Sequence, residues 1–148
     1  IGKIKEYVII RFGGAFGPYS DKKFMTTLVK EIYINKKEEI EVYGNGANII
    51  NVMYVKDAVK AVLAALGSKQ SNLTANLGQE NMTIAKTVQK VAKAFNKNIK
   101  IRYTPKIMNQ KYITFKIKVD FNETFNFKPD YSFEKGIKEF GNSLKNEN

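Results

Sequence analysis

Two kinds of grouping have the spacing for chemistry. One is Tyr-x-x-x-Lys, as at Tyr33/Lys37, Tyr112/Lys116 and Tyr131/Lys135. The other is the glycine-bearing loop, at Gly13 to Gly17 and at Gly44 to Gly46. On a helix, a Tyr and a Lys four residues apart share a face, and the ammonium lowers the phenol's pKa for proton transfer. In a chain with 8 Tyr and 23 Lys, chance alone supplies such pairs, so none of the three is assigned a catalytic role. A glycine loop cradles a pyrophosphate when Gly-x-Gly-x-x-Gly leads straight into a helix N-terminus. Gly13, Gly14 and Gly17 miss that spacing, and Pro18-Tyr19-Ser20 intervenes before any helix. Gly44-Asn45-Gly46 has Ile49 where the third glycine would stand. Cysteine and histidine are absent. That excludes disulfides, thiolate nucleophiles, Ser-His-Asp triads and Cys/His metal centres within the chain. Proton transfer would fall to Asp, Glu, Lys or Tyr.

The elements that must position these groups alternate between strand and helix. Tyr7 to Phe12 is a continuous apolar run, predicted as a strand buried on both faces. A loop runs from Gly13 to Ser20. Ser20 or Asp21 then caps a helix over Lys22 to Asn35, with Phe24, Leu28 and Ile32 on its buried face. Ile40 to Tyr43 is a short strand ending in the Gly44-Asn45-Gly46 turn, and Val52 to Val55 another. Asp57 is placed as N-cap of a helix burying Val59, Val62, Leu63 and Leu66, with Gly67 as its stop. A strand at Leu73 to Leu77 precedes a helix capped by Thr83 with Ile84, Val88, Val91, Ala92 and Phe95 inside. Ile99 to Tyr103 is a strand. Phe115, Ile117, Val119 and Phe121 alternate like another. Ser132 opens a last helix that buries Phe133, Ile137, Phe140 and Leu144. The class is α/β, or α+β if the chain is taken alone, in one unit over residues 1–148. No apolar run approaches the 18 residues of a membrane span.

Four blocks in this order resemble the extended short-chain dehydrogenase/reductases, the NAD-dependent epimerase/dehydratase family. Arg11-Phe12-Gly13-Gly14-Ala15-Phe16-Gly17-Pro18 is similar to the family's Arg-Pro-x-Asn-x-Tyr-Gly-Pro. Ile40 to Gly46 matches a strand and turn that line the substrate's nucleotide or distal group. Tyr54-Val55-Lys56-Asp57-Ala58-Val59 matches a Tyr-Val-x-Asp helix entry. Phe125-Asn126-Phe127-Lys128-Pro129, followed by Glu134-Lys135-Gly136-Ile137, resembles the family's closing segment.

The resemblance implies the C-terminal, substrate-binding part of a Rossmann-type enzyme, with the cofactor fingerprint and the catalytic Tyr-x-x-x-Lys upstream of Ile1. It implies NAD or NADP in the full-length protein, with none expected on this part alone, and no catalytic or metal-binding residue here. Phe12, Gly13, Gly14 and Ala15 are the expected neighbours of the cofactor. Phe16, Tyr19, Glu41, Tyr43, Gly44, Asn45, Gly46 and Asn51 are the expected substrate neighbours, although Phe16 and Tyr19 fit plain loop packing equally. Asp57 and Tyr54 are expected to be structural. The expected partners are a small-molecule substrate, which a nucleotide sugar would satisfy, and further copies of the chain. The expected compartment is the cytoplasm. The first strand, without its sheet neighbours, would expose an edge.

Departures from the family bear on the substrate. Ile50-Asn51 stands where sugar-nucleotide members carry Arg-Asp, Gly14 replaces the family Asn and Phe12 the Pro. A later clamping Arg has no clear counterpart, with only Lys106 or Lys111 nearby. Each lost charged contact weakens diphosphate binding by about 1.5–3 kcal/mol, so a smaller or less charged substrate is expected unless the lysines compensate. A second reading rests on charge. The net charge is +11, and Asn81 to Val119 holds ten basic residues and no acid. Such a field suits anionic partners, so a non-enzymatic nucleic-acid or polyanion module is the alternative. The pairing of 23 Lys with only 2 Arg argues against sequence-specific readout.

Overall fold

The computed structural model of the chain describes residues 5–21, 23–105, 116 and 118–146. Among these residues, seven strands form three small sheets flanked by helices. The strands are β1 (Val8–Phe12), β2 (Ala15–Phe16), β3 (Glu39–Tyr43), β4 (Ile49–Tyr54), β5 (Leu73–Leu77), β6 (Glu80–Thr83) and β7 (Lys100–Thr104). The helices are α1 (Phe24–Val29), α2 (Val55–Leu66), α3 (Ile84–Ala94), α4 (Phe121–Thr124) and α5 (Phe133–Asn146). β1 and β5 pair in parallel, as do β3 and β7; β4 lies parallel to β2 and antiparallel to β6. The expected mixed α/β class is what the chain adopts, and β2 and β6 are short strands hidden in stretches read as loop.

Two cores hold these layers. One gathers Phe16, Leu28, Ile32, Val42, Tyr54, Val88, Phe133, Ile137 and Phe140 between α1, α3, α5 and β4. Phe16 meets the rings of Tyr54, Phe133 and Phe140 at 5.5, 5.6 and 6.2 Å between centroids. Each fully buried Phe contributes roughly 1.5–3 kcal/mol of transfer free energy. Gly136 is required here, because a Cβ would approach the Tyr54 side chain to 2.9 Å. The second core packs Met53, Ala58, Ala61, Ala65, Ala75, Leu77 and Phe121 between α2 and the β1–β5 pair.

Several expectations change. β1 is not buried on both faces: Val8 and Ile10 pack against the second core, whereas Ile9 and Phe12 are each 45% exposed, and β5 is the one described strand beside it. α1 ends early. Lys30–Ile34 continue it as a wider π-type turn, and its N-cap is Lys23 rather than Ser20 or Asp21. The Ser20 carbonyl still accepts a hydrogen bond from the Thr26 hydroxyl. α2 turns the other way from its apolar pattern. Ala58, Ala61 and Ala65 are buried, while Val59, Leu63 and Leu66 are exposed, because small residues let the helix lie close on the sheet. Gly67 takes the C-cap with an ordinary negative φ. Thr83 does cap α3, its hydroxyl accepting from the Lys86 N–H at 3.1 Å. Of the strand expected over Phe115 to Phe121, Phe115 and Ile117 lie outside the described residues, and Phe121 opens the short helix α4.

Asp57, expected to cap α2, does not; Tyr54 holds that position. Asp57 lies one turn inside and is 1% exposed. Its carboxylate accepts from the backbone N–H groups of Asp130 (2.8 Å) and Tyr131 (3.0 Å). It thereby pins the segment entering α5 to the start of α2. Tyr54 reinforces the same joint: its hydroxyl donates to Glu139 Oε1 at 2.9 Å, and Lys56 Nζ meets that oxygen at 2.5 Å. Burial first, and the Glu139 carboxylate second, push the Tyr54 phenol well above its ordinary range.

Candidate functional site

β3 pairs with β7 along one edge and presents its other edge to α1. A cleft of about 440 Å³ lies between that edge and α1. All five residues from Glu39 to Tyr43 line it, which requires the strand to be seen edge-on, since successive side chains alternate between faces. Its floor is apolar: Leu28 from α1, Ile40 and Val42 from β3, Ile84 and Val88 from α3. Phe24 and Tyr43, nearly half exposed, stand as aromatic walls, and Thr27 and Asn48 add neutral polar groups.

The Gly44-Asn45-Gly46 turn closes off β3 and is held rigidly. Gly44 and Gly46 have φ of 73° and 69°, a region that favours glycine. A Cβ on Gly46 would sit 3.0 Å from the Tyr103 ring and 3.1 Å from Ala85. The Asn45 side chain accepts from the Ala47 N–H, the Gly46 carbonyl from the Ala85 N–H, and the Asn48 carbonyl from the Ile84 N–H. The turn is thus bolted to the first turn of α3.

Charge at the rim is internally matched. Glu31 pairs with Lys37, whose hydrogen bond holds the Glu31 carboxyl below the usual range. Arg102 on β7 donates from Nε to Glu39 (2.9 Å) and from Nη2 to Glu41 (3.0 Å). Lys100 stands 3.7 Å from Glu39.

Of the expected substrate residues, the fold brings Glu41 and Tyr43 to the cleft and sets Gly44, Asn45 and Gly46 at the end of that strand. Phe16 is not a substrate wall. At 1% exposed it is the centre of the first core, because β2 carries it inward onto α5. Asn51 does not face a ligand either. It is 2% exposed, accepts from the Gln79 N–H at 3.0 Å and donates to Asn81 at 3.1 Å, which fixes the β5–β6 turn. Tyr19 is 95% exposed and borders a separate hollow of about 430 Å³ with Gly17, Lys23 and Val55. Sequence reasoning missed Phe24, Thr27, Glu31, Lys37 and Asn48. Phe24 carried a signal, the i, i+4 step to Leu28, but that step read as core.

The expected cofactor neighbours form a shoulder beside β1. The Gly13 N–H is spent on the Leu77 carbonyl and the Gly14 carbonyl on the Met53 N–H. A Cβ on Gly14 would lie 3.3 Å from both the Asn51 carbonyl and Val52. Phe12 and Ala15 are exposed. The Gly13 amide is already committed within the fold. In two of the Tyr-x-x-x-Lys spacings the described side chains have structural contacts. Lys37 is bound to Glu31 while Tyr33 stacks on Phe95; Lys135 lies over the Tyr131 ring face, 4.2 Å from its centroid; Tyr112 is outside the described residues. Among the described residues no group of three or more acids could hold a metal ion, and no helix is long and apolar enough to cross a membrane. The basic stretch is partly neutralised from outside itself. Glu80 pairs with Lys86 and Lys90, Glu134 with Lys90, and Glu39 with Lys100 and Arg102. The polyanion reading is not favoured.

A model of the NAD dependent epimerase/dehydratase family matches residues 4–78, half of the chain. The chain belongs to that family. A UDP-N-acetyl-alpha-D-glucosaminuronate decarboxylase of Bacillus cytotoxicus is 28% identical over 144 residues, 88% of this chain and 44% of the relative. The fold is shared with a UDP-N-acetylglucosamine 4-epimerase of Methanobrevibacter ruminantium M1, solved with UDP-N-acetylmuramic acid (TM-score 0.77, 21% identity, 97% of this chain and 47% of that one). It is shared too with a UDP-glucose 4-epimerase of Thermotoga maritima, solved with UDP-glucose (TM-score 0.76, 19% identity, 96% and 47%). The chain spans about half the length of these relatives.

Proposed function

We propose that residues 1–148 are the C-terminal, substrate-binding portion of an NAD(P)-dependent epimerase, dehydratase or reductase, and that this portion does no chemistry alone. The observation that carries this reading is the cleft at the edge of β3, with Glu41 and Tyr43 on its wall and a rigid glycine turn at the end of the strand. In the whole protein a nicotinamide bound upstream of Ile1 would exchange hydride with a substrate carbon, and an upstream Tyr and Lys would move the proton. This chain's residues would do the binding. The cleft would hold the part of the substrate remote from the reacting carbon. Phe12, Gly13, Gly14 and Ala15 would offer their exposed shoulder to the nicotinamide end. The substrate is a sugar derivative, by extension from relatives whose names carry UDP-sugars. The intact enzyme is expected to be a cytoplasmic homo-oligomer.

The test is calorimetry on the 148-residue chain with NAD and with UDP-glucose, beside an assay for NADH formation. The reading predicts binding of the sugar compound, weak or no binding of NAD, and no turnover. Tight NAD binding or turnover by this chain alone would sink it.

A further inference from the structure

We infer that the chain carries a second ligand site, at the opposite end of β3 from the glycine turn, which takes a compact, multiply charged phosphate compound. The site is separate from the α1–β3 cleft and stands whether or not that cleft binds substrate.

A hollow of about 580 Å³ opens there between the turn that follows Ile34 and the loop from α3 to β7. The Lys100 N–H donates to the Glu38 carbonyl at 2.9 Å and ties the two walls together. Only Lys37 lines both this hollow and the cleft. Lys36, Lys97 and Lys100 line the hollow, and Lys93 lines an adjoining one that shares Asn96 and Lys97. Asn96 and Asn98 add side-chain amides able to donate to an oxyanion. Against these stands one lining carboxylate, Glu38.

The ammonium groups are free to bind. Lys36, Lys93 and Lys97 make no ion pair among the described residues, whereas Lys37, Lys86 and Lys90 are each held by a glutamate. Lys100 is 80% exposed and comes no nearer than 3.7 Å to Glu39, a carboxylate that Arg102 already holds at 2.9 Å. Nor do these lysines cap helices. The extension of α1 and the end of α3 both point here, but backbone groups take up their last carbonyls. The carbonyls of Lys30 and Glu31 accept from the N–H groups of Asn35 and Lys37, and those of Ala92 and Lys93 from Lys97 and Asn96. Each helix end carries about half a negative charge. Two ends and Glu38 together offset about two of the four ammoniums, Lys36, Lys93, Lys97 and Lys100, and leave about two positive charges over. That surplus matches an anion of two or more charges and is poorly used by a neutral ligand.

Size and borders select a small anion over a polymer. The volume falls among small-molecule sites, roughly 300–1,000 Å³. Carboxylates interrupt the positive charge on both sides: Glu39 and Glu41 hold Arg102, and Glu80 and Glu134 engage Lys86 and Lys90. A nucleic-acid backbone needs cations that continue along its path, and here they are confined to one hollow.

The experiment is calorimetry on the 148-residue chain at low salt with orthophosphate, tripolyphosphate and a short single-stranded oligonucleotide. Tripolyphosphate should bind at one site per chain, at least about tenfold tighter than orthophosphate and tighter than the oligonucleotide. The double variant Lys36→Gln/Lys97→Gln should lose about tenfold or more of that affinity. Lys69→Gln/Lys138→Gln removes the same charge from exposed positions elsewhere, and should stay within about twofold of the parent. Absence of tripolyphosphate binding would overturn the inference. Equal losses in the two double variants would also overturn it, since they would trace binding to overall charge. An oligonucleotide that bound as tightly as tripolyphosphate would overturn it in favour of a nucleic-acid surface. The ranking of the three probes on the parent chain decides the matter if a variant fails to fold.

Discussion

Replacing Asp57 by Ala should destabilise the chain more than any surface substitution. The carboxylate is 1% exposed and serves two backbone donors, the N–H groups of Asp130 and Tyr131, at 2.8 and 3.0 Å. A hydrogen bond to a charged group contributes about 1.5–3 kcal/mol net, and an abandoned buried donor adds its own desolvation penalty. Both donors are only partly buried, and water can rescue some of that cost, so the lower end applies: about 3–4 kcal/mol in total. Against a usual stability of about 5–15 kcal/mol this is a large loss. At roughly 2–4 °C per kcal/mol for a chain of this size, Tm should fall by about 6–16 °C. Asp57→Asn should fall between, because its amide oxygen serves one N–H while its NH₂ opposes the other. Thermal unfolding followed by circular dichroism reads all three proteins. A Tm for Asp57→Ala within about 2 °C of the parent would refute the claim that this carboxylate joins α2 to α5.

Gly78→Ala would drive its Cβ to 2.2 Å from Asn51 Oδ1, which is itself bonded to Gln79 and tied into the β5–β6 turn; a loss of about 2 kcal/mol or more in urea unfolding is expected. Tyr19 holds φ of 62° with its side chain in solvent. Tyr19→Asn should therefore raise stability by about 1 kcal/mol, since Asn tolerates that region, and a loss in the same urea assay would contradict it. Lysine hydrogen bonds hold the carboxyls of Glu31, Glu80 and Glu139 below their ordinary 4.5. As pH falls, the unfolded chain takes up these protons first. This stabilisation is therefore complete above pH 4.5 and drains away as pH drops through the lowered folded values. At the other end Lys56 and Lys90 are raised by their glutamates and Tyr54 by burial. Their contributions should fade as pH climbs past about 10. The urea midpoint, measured across pH, should be flat between about 5.5 and 9 and fall on both sides; a midpoint that rose on acidification would contradict it.

The alternation of strands and helices was legible because periodicity and caps are local. β3 with its glycine turn, α3 with Thr83 and α5 with its Phe133/Ile137/Phe140 stripe fall where the pattern puts them. Orientation was less legible where two apolar faces compete. In α2 the larger side chains, Val59, Leu63 and Leu66, outweigh the alanines on any hydropathy count, yet the alanines face the sheet because they allow close approach. Phe16 read as loop because β2 is two residues long and its burial depends on rings from α5, more than a hundred residues away. Half of the cleft was visible, the β3 wall and its turn. The other half needed the contact of α1 with β3, which no local pattern encodes. Asn51 illustrates the limit of motif matching: its position in the family block suggested a ligand, while its partners, Gln79 and Asn81, lie on another strand and turn.

The central claim, that the edge of β3 is the substrate wall, is tested most directly by titrating the ¹⁵N-labelled chain with UDP-glucose and mapping amide shifts. The account predicts perturbations concentrated at Thr27, Glu41, Tyr43, Gly44, Gly46 and Asn48. Shifts confined to the lysine-rich end of α3, or an unchanged spectrum at saturating ligand, would contradict it.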